Sequence, residues 1–210
     1  MLKLIYEWLV SADPPAKVDV IFVLAGLPSR KMYAANLFQR GIAPRVLFSV
    51  GRFEIRRFSE LGLPQTPDLL QMAQKIPPQH RHFFVLLEGQ KFEVHRIPIR
   101  TLGTLSEIDA LADWLTDRPQ ISSLIVVSSG THLRRLRMCC RAILPRELKI
   151  HLRAVPEENP ASNREKWWID APTRKLVLSE LIKILCYAAF LPFWRIARRW
   201  RSKTISSLAP

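Results

Sequence analysis

The stretch LIVVSSGTHLRRLRMCCRAIL, Leu124 to Leu144, decides the fold. Leu124, Ile125, Val126 and Val127 form the apolar, mostly β-branched run that a parallel strand buried on both faces requires. Ser128, Ser129, Gly130 and Thr131 then supply turn and cap chemistry, and a helical pattern follows. Leu133, Leu136, Cys140, Ile143 and Leu144 share one face of that helix. Arg134, Arg137 and Arg141 share a second, which reads as a solvated face, while His132 and Arg135 point a third way from the first turn. A strand feeding a small-residue loop and then a helix is where α/β folds hold anions, because unpaired N–H groups and the positive dipole end meet there.

The neighbouring sequence repeats that grammar. Val18 to Leu24 is an apolar run closed by Gly26, Ser29 stands where a helix cap belongs, and Met32, Ala35, Leu37 and Phe38 offer a packing side before Gly41. Arg45 to Val50 is a second apolar run, closed by Gly51. Strand, helix and strand in this order predict one right-handed βαβ unit. Arg52 to Leu61 and Asp68 to Lys75 read as short helical pieces, ended by Gly62 with Pro64 and by Ile76 with Pro77 and Pro78. His82 to Leu87, a turn at Glu88-Gly89-Gln90 and Lys91 to Ile99 read as a hairpin-like insertion near 80–99. Leu105, Ile108, Leu111, Ala112 and Leu115 fall at helical spacing behind Gly103 and Thr104, and Thr104 with Glu107 matches a capping box. Leu148 to Val155 reads as a last strand and Thr173 to Phe190 as a long helix. The alternation predicts an α/β class: a three-layer, Rossmann-like, mostly parallel sheet with helices on both faces. Residues 1–17 then form an N-terminal helix and linker, 18–190 a single domain and 191–210 a basic tail.

A chain of 210 residues is long enough for one substantial core. Its 32 Lys and Arg against 18 Asp and Glu give a net charge of +14, which favours anionic partners: a small molecule or lipid-linked phosphate, a membrane surface or nucleic acid. Base-stacking aromatics interleaved with Lys and Arg are sparse outside the tail, which weighs against nucleic acid. Cys139, Cys140 and Cys186 form no CxxC pair or metal-ligand spacing, so no metal is expected and a reducing, cytoplasmic compartment fits. MLKLIYEWLV is interrupted by Lys3 and Glu7 and does not read as a signal peptide, and no stretch reaches the ~18 uncharged apolar residues of a spanning helix. Ile184 to Trp194 is an 11-residue apolar run followed by RIARRWRSK. Residues 184–203 therefore read either as an element lying on the inner, anionic face of a membrane or as a terminal helix on the sheet followed by a basic tail.

No GxxxxGK[ST], GxGxxG or GxSxG motif is present, and the five histidines show no HxxxH or HExxH spacing. VVSSGTHLRR, Val126 to Arg135, resembles the VTSxYHxxR element of the SanA/YdcF/ElyC-like family of bacterial α/β proteins. Three further segments resemble that family in the right order: VDVIFVLAG with Arg30, RVLFSVG, and RTLGTLSEIDAL. They give Asp19, Gly26 and Arg30, then Ser49 and Gly51, then Thr104 and Glu107; Trp167-Trp168 with Arg174 and Glu180 resembles its C-terminal helix. The chain departs from the pattern at Leu27 and Pro28 after Gly26, at Thr131 before the histidine, and in the 63–99 insertion. The resemblance implies a Rossmann-like domain in cell-envelope biogenesis or barrier function, with a nucleotide-like ligand that for one branch is S-adenosylmethionine. It implies no settled reaction.

Parallel strands deliver their C-terminal ends to one edge, so Gly26, Ser49, Gly51, Ser128 and Ser129 are expected to converge there, with Arg30 and Arg135 as anion donors. His132 is the candidate acid or base, and Glu107 is its candidate orienting group or a ribose ligand. Thr104 and Glu107 are equally explained as a helix cap, and Ser128 and Ser129 as groups that satisfy a strand end. Three readings stand: a ligand-binding or enzymatic domain for a phosphate-bearing or nucleotide-like molecule, a membrane-peripheral scaffold without catalysis, and a nucleic-acid binder.

Overall fold

The computed structural model describes residues 2–59, 69–98, 103–157 and 164–206, with backbone alone at 59 and 199–206. Six strands form one sheet in the order β4-β3-β2-β1-β5-β6. They are β1 Val20–Val23, β2 Arg45–Val50, β3 Phe83–Glu88, β4 Lys91–Arg96, β5 Ser123–Ser128 and β6 Lys149–Ala154. β2, β1, β5 and β6 run parallel, and β3 and β4 add an antiparallel hairpin at one side. All of β1 and nearly all of β2 and β5 are buried, as expected of strands covered on both faces.

The helices are α1 Leu2–Leu9, α2 Pro28–Gln39, α3 Ile55–Ser59, α4 Leu69–Gln74, α5 Gly103–Thr116, α6 Leu133–Ile143 and α7 Ala171–Ser206. One sheet face packs Phe22, Leu47, Phe84 and Val126 against α5 and α6; the other packs Ile21, Phe48, Val85 and Val127 against α2, α3 and α4. The fold is thus the three-layer α/β class read from the alternation of the sequence. A third cluster joins Tyr6 and Leu9 of α1 to Trp167 and to Val177 and Ile184 of α7.

Several local expectations change. α2 starts at Pro28, whose fixed φ suits the first helical position, and no side chain caps it, so Ser29 has no capping role. Its inner face is Lys31, Ala34 and Leu37, while Met32 is exposed. α5 already begins at Gly103, and the side chains of Thr104 and Glu107 are spent on tertiary partners, so no capping box forms. Arg134 and Arg137 are not a solvated face: Arg134 lies 4.4 Å over the Trp8 ring, and Arg137 bonds Asp13 Oδ1 at 3.0 Å. α3 and α4 fall inside the predicted helical pieces, whose ends at Leu61, Gly62, Pro64 and Asp68 lie outside the described residues, as do the last residues of the 80–99 insertion and of the tail.

The long helix runs past its expected end at Phe190, through Pro192, to Ser206, so the described part of the 191–210 segment is helical. Over Ala171–Arg198 it is long and apolar enough to cross a membrane by length and composition: its most apolar 18-residue window has mean hydropathy 1.8 and is 28% buried. The strict requirement for uncharged residues had excluded it because Glu180 and Lys183 interrupt the run. A core helix of a soluble protein meets the same test.

Candidate functional site

Beyond β1 the chain turns at Ala25 and Gly26, the latter at φ 136°, a conformation that favours glycine. A Cβ at Gly26 would stand 2.7 Å from Arg30 Nη1. That nitrogen donates to the Ala25 carbonyl at 2.7 Å, and Nε and Nη2 donate to Ser129 Oγ at 3.1 and 2.8 Å. Arg30 therefore ties the loop after β1 to the loop after β5. Burial lowers its pKa, and the Glu107 and Glu54 carboxylates pull it back up.

The next residue, Lys31, is almost fully buried and pairs with the Glu54 carboxylate. Glu54 also accepts the Gly26 N–H. A carboxylate thus sits where α2 begins, held by a backbone donor and an ammonium group. Burial lowers the Lys31 pKa, and Glu54 opposes the shift. The crevice bounded by Gly26, Pro28, Lys31, Glu54, Arg57 and Phe58 encloses about 10 Å³, so Glu54 fills it.

Glu107 reaches under the same loop from α5. Its Oε1 accepts the Ala25 N–H at 2.9 Å and the Ser49 hydroxyl. His82, immediately before β3, brings Nε2 to 2.7 Å from Ser49 Oγ and 3.5 Å from Glu107 Oε1. Burial acts to raise the Glu107 pKa, but His82, Ser49 and the Ala25 N–H outweigh it and leave the carboxyl below its ordinary value. Ser49 is fully buried, so this trio holds charge and proton rather than presenting a nucleophile. Gly51 lines the same place: a Cβ there would lie 3.7 Å from His82 Cε1 and 3.5 Å from a Glu54 oxygen.

A second polar cluster lies at the β5 end. His132 Nδ1 is 2.8 Å from Ser128 Oγ, and Nε2 is 3.4 Å from Thr104 Oγ1. Burial, with the Arg135 cation beside it, pushes the His132 pKa down to about 3, so the imidazole is neutral at pH 7. In that neutral state its two ring nitrogens face Ser128 and Thr104. Arg135 is consumed as well. Its Nε and Nη2 form a bidentate pair with Glu180 at 2.9 and 3.2 Å, Nη1 donates to Thr104 Oγ1 at 3.0 Å, and the guanidinium lies 4.9 Å from the Tyr187 ring centroid.

The structure therefore brings together Gly26, Arg30, Ser49, Gly51, Glu107 and Ser129 in one place, and Thr104, Ser128, His132 and Arg135 beside it. Asp19 is not among them. It stands before β1 at the opposite sheet edge, where its Oδ2 accepts the Ser122 and Ser123 N–H groups at 2.8 and 2.9 Å. Its task is to fasten the starts of β1 and β5.

Sequence reasoning missed Lys31, Glu54 and His82. The lysine was a signal in principle, since a charge inside a packing face needs a partner. Glu54 and His82 carried none, because they arrive through tertiary structure. Among the described residues no group of three His, Cys, Asp or Glu side chains is gathered as metal ligands require. Comparison with protein-family models, with curated proteins and with solved structures finds no match.

Proposed function

We propose that this chain is a ligand-binding or enzymatic domain for a phosphate-bearing or nucleotide-like molecule, seated at the C-terminal edge of β1, β2 and β5. The observation that carries the reading is the Glu54 carboxylate, gripped by the Gly26 N–H and Lys31 Nζ at the start of α2. The crevice already holds an anion, supplied by the chain, and a phosphate group uses the same donors when Glu54 swings away. Glu107 anchors the floor as a carboxylate, and His82 Nε2 is the group placed to give or take a proton through Ser49. His132 and Arg135 hold the neighbouring wall.

S-adenosylmethionine is one candidate ligand through the family resemblance, which also points the domain toward the cell envelope. The exposed apolar side of α7 supports a cytoplasmic protein peripheral to the inner face of the membrane, acting on lipid-linked phosphate.

Calorimetric titration with inorganic pyrophosphate, and separately with S-adenosylmethionine, tests the site. Glu54→Gln is expected to bind pyrophosphate about tenfold tighter than the native chain, since an internal competitor is weakened. Lys31→Met in that background is expected to abolish the gain. No binding by Glu54→Gln, or binding indifferent to Lys31, would overturn the reading.

A further inference from the structure

α7 has two apolar sides, and the fold uses one. Val177, Glu180, Ile184, Tyr187 and Leu191 are buried toward the domain, with Trp194 packed at the rim of the core. On the opposite side Leu178, Ile182, Leu185, Ala189, Phe193 and Ile196 recur at helical spacing, all exposed; Ile182, Leu185 and Phe193 are 62, 71 and 69% exposed. At 1.5 Å per residue the stripe from Leu178 to Ile196 is about 27 Å long. A continuous apolar stripe of that length, unlike scattered single residues, marks an interaction surface.

Charge identifies the occupant. Beyond Asp170 the only acid in the sequence is Glu180, which is buried and paired with Arg135 and Lys183. The other ionisable charges that α7 carries between Ala171 and Arg195 are positive: Arg174 and Lys175 at one end, Lys183 along the flank, Arg195 near the other end. A second copy of the chain packed along the same stripe would bring these cations against their own images, with Glu180 already buried and paired. An anionic bilayer neutralises them and takes the apolar stripe into its interfacial layer.

The helix cannot leave the domain to span that bilayer without breaking the Arg135–Glu180 pair and stranding both charges. Its far end is fastened too, since Arg198 pairs with Asp109 at 2.6 Å and with Asp113 at 2.7 Å.

We propose that the outer stripe of α7, Leu178 to Ile196, is a bilayer-docking surface on which the intact domain lies with the helix axis in the plane of an anionic membrane. The proposal deepens the membrane-peripheral reading given above and replaces the basic tail by a defined face of a packed helix. Flotation of the full chain with vesicles of phosphatidylcholine, with and without phosphatidylglycerol, tests it. The native protein is expected to float with the anionic vesicles only, and Leu185→Glu with Phe193→Glu to lower partitioning about a hundredfold, with circular dichroism and thermal unfolding unchanged.

Cys186 is the exposed cysteine, while Cys139 and Cys140 are buried, so an environment-sensitive thiol probe reports this face in the native chain. Quenching by lipids brominated at graded depths is expected to peak near the headgroups. If the native chain binds no vesicle, the membrane-peripheral reading itself fails. If it binds but the double variant binds as well, only this face is wrong. Quenching that peaks at the bilayer centre, or a dimer in solution that the double variant dissociates, would overturn docking in favour of a spanning helix or a second copy.

Discussion

To become charged, the imidazole of His132 would have to take up a proton between Ser128 and Thr104, away from water and next to the Arg135 guanidinium. The unfolded chain has no such obstacle, and its histidine titrates near the ordinary 6.5, against about 3 in the fold. Below pH 6.5 the unfolded state therefore binds a proton that the native state refuses, and stability falls with pH down to about 3. The loss reaches several kcal/mol at the acid end, on the scale of 1.36 kcal/mol per pKa unit. His132→Gln is expected to flatten the dependence of the unfolding midpoint on pH between 6.5 and about 4, measured by thermal denaturation. A variant whose profile keeps the native slope would show that the imidazole is solvated. At Gly26 the constraint is geometric: φ of 136° strains any L side chain, and a Cβ would stand 2.7 Å from Arg30 Nη1, so the guanidinium must shift off its partners to admit alanine. Gly26→Ala is expected to cost roughly 1–3 kcal/mol, seen as a lower urea midpoint with an unchanged slope.

Two elements, α6 and α7, meet through one buried ion pair, and its energetics separate removing a charge from stranding one. Arg135 and Glu180 are both buried at the junction, with Thr104 and Tyr187 taking the remaining guanidinium contacts. Glu180→Gln strands the guanidinium and is expected to destabilise by about 3–5 kcal/mol in urea unfolding. Arg135→Met with Glu180→Leu removes both charges and is expected to recover most of that loss. If the single and double variants are equally unstable, the pair is not what joins the helices.

The elements themselves were readable wherever one constraint dominated. β1, β2 and β5 are continuous apolar runs because both faces are covered, and the β3–β4 hairpin announced itself through Gly89. The strand ends then placed Gly26, Ser49 and Ser129 without further information. His82 was unreadable because it reaches Ser49 only through the antiparallel register in which Val50 faces Phe83. Thr104 and Glu107 looked like a cap because local pattern cannot see that Ser49, Ala25 and Arg135 outbid the helix for their side chains.

At the scale of the whole molecule, the two ends of the chain form a layer of their own outside α6. Tyr6 and Leu9 of α1 interlock with Trp167, Val177 and Ile184, and the Trp167 indole donates to the Leu2 carbonyl at 2.9 Å. The linker is stitched down as well: Asp13 Oδ2 accepts the Leu152 N–H at 2.7 Å, and its backbone N–H donates to the Leu152 carbonyl at 2.9 Å, which closes the outer edge of β6. Residues 1–17, separable by sequence as a helix and linker, are therefore structural parts of the domain. No local pattern could show this, because Trp8 meets Arg134 and Asp13 meets Arg137 across more than half the chain. Leu9 is the sharpest probe of this layer, being fully buried at its centre. Leu9→Ala opens a cavity between α1 and α7 and is expected to cost about 2–5 kcal/mol. In a domain of this size each kcal/mol lowers Tm by about 2–4 °C, so calorimetry should register a fall on the order of 5–15 °C in one cooperative transition. If α1 instead melts separately and the main transition keeps its Tm, the N-terminal helix is an appendage and the layer is not part of the cooperative fold.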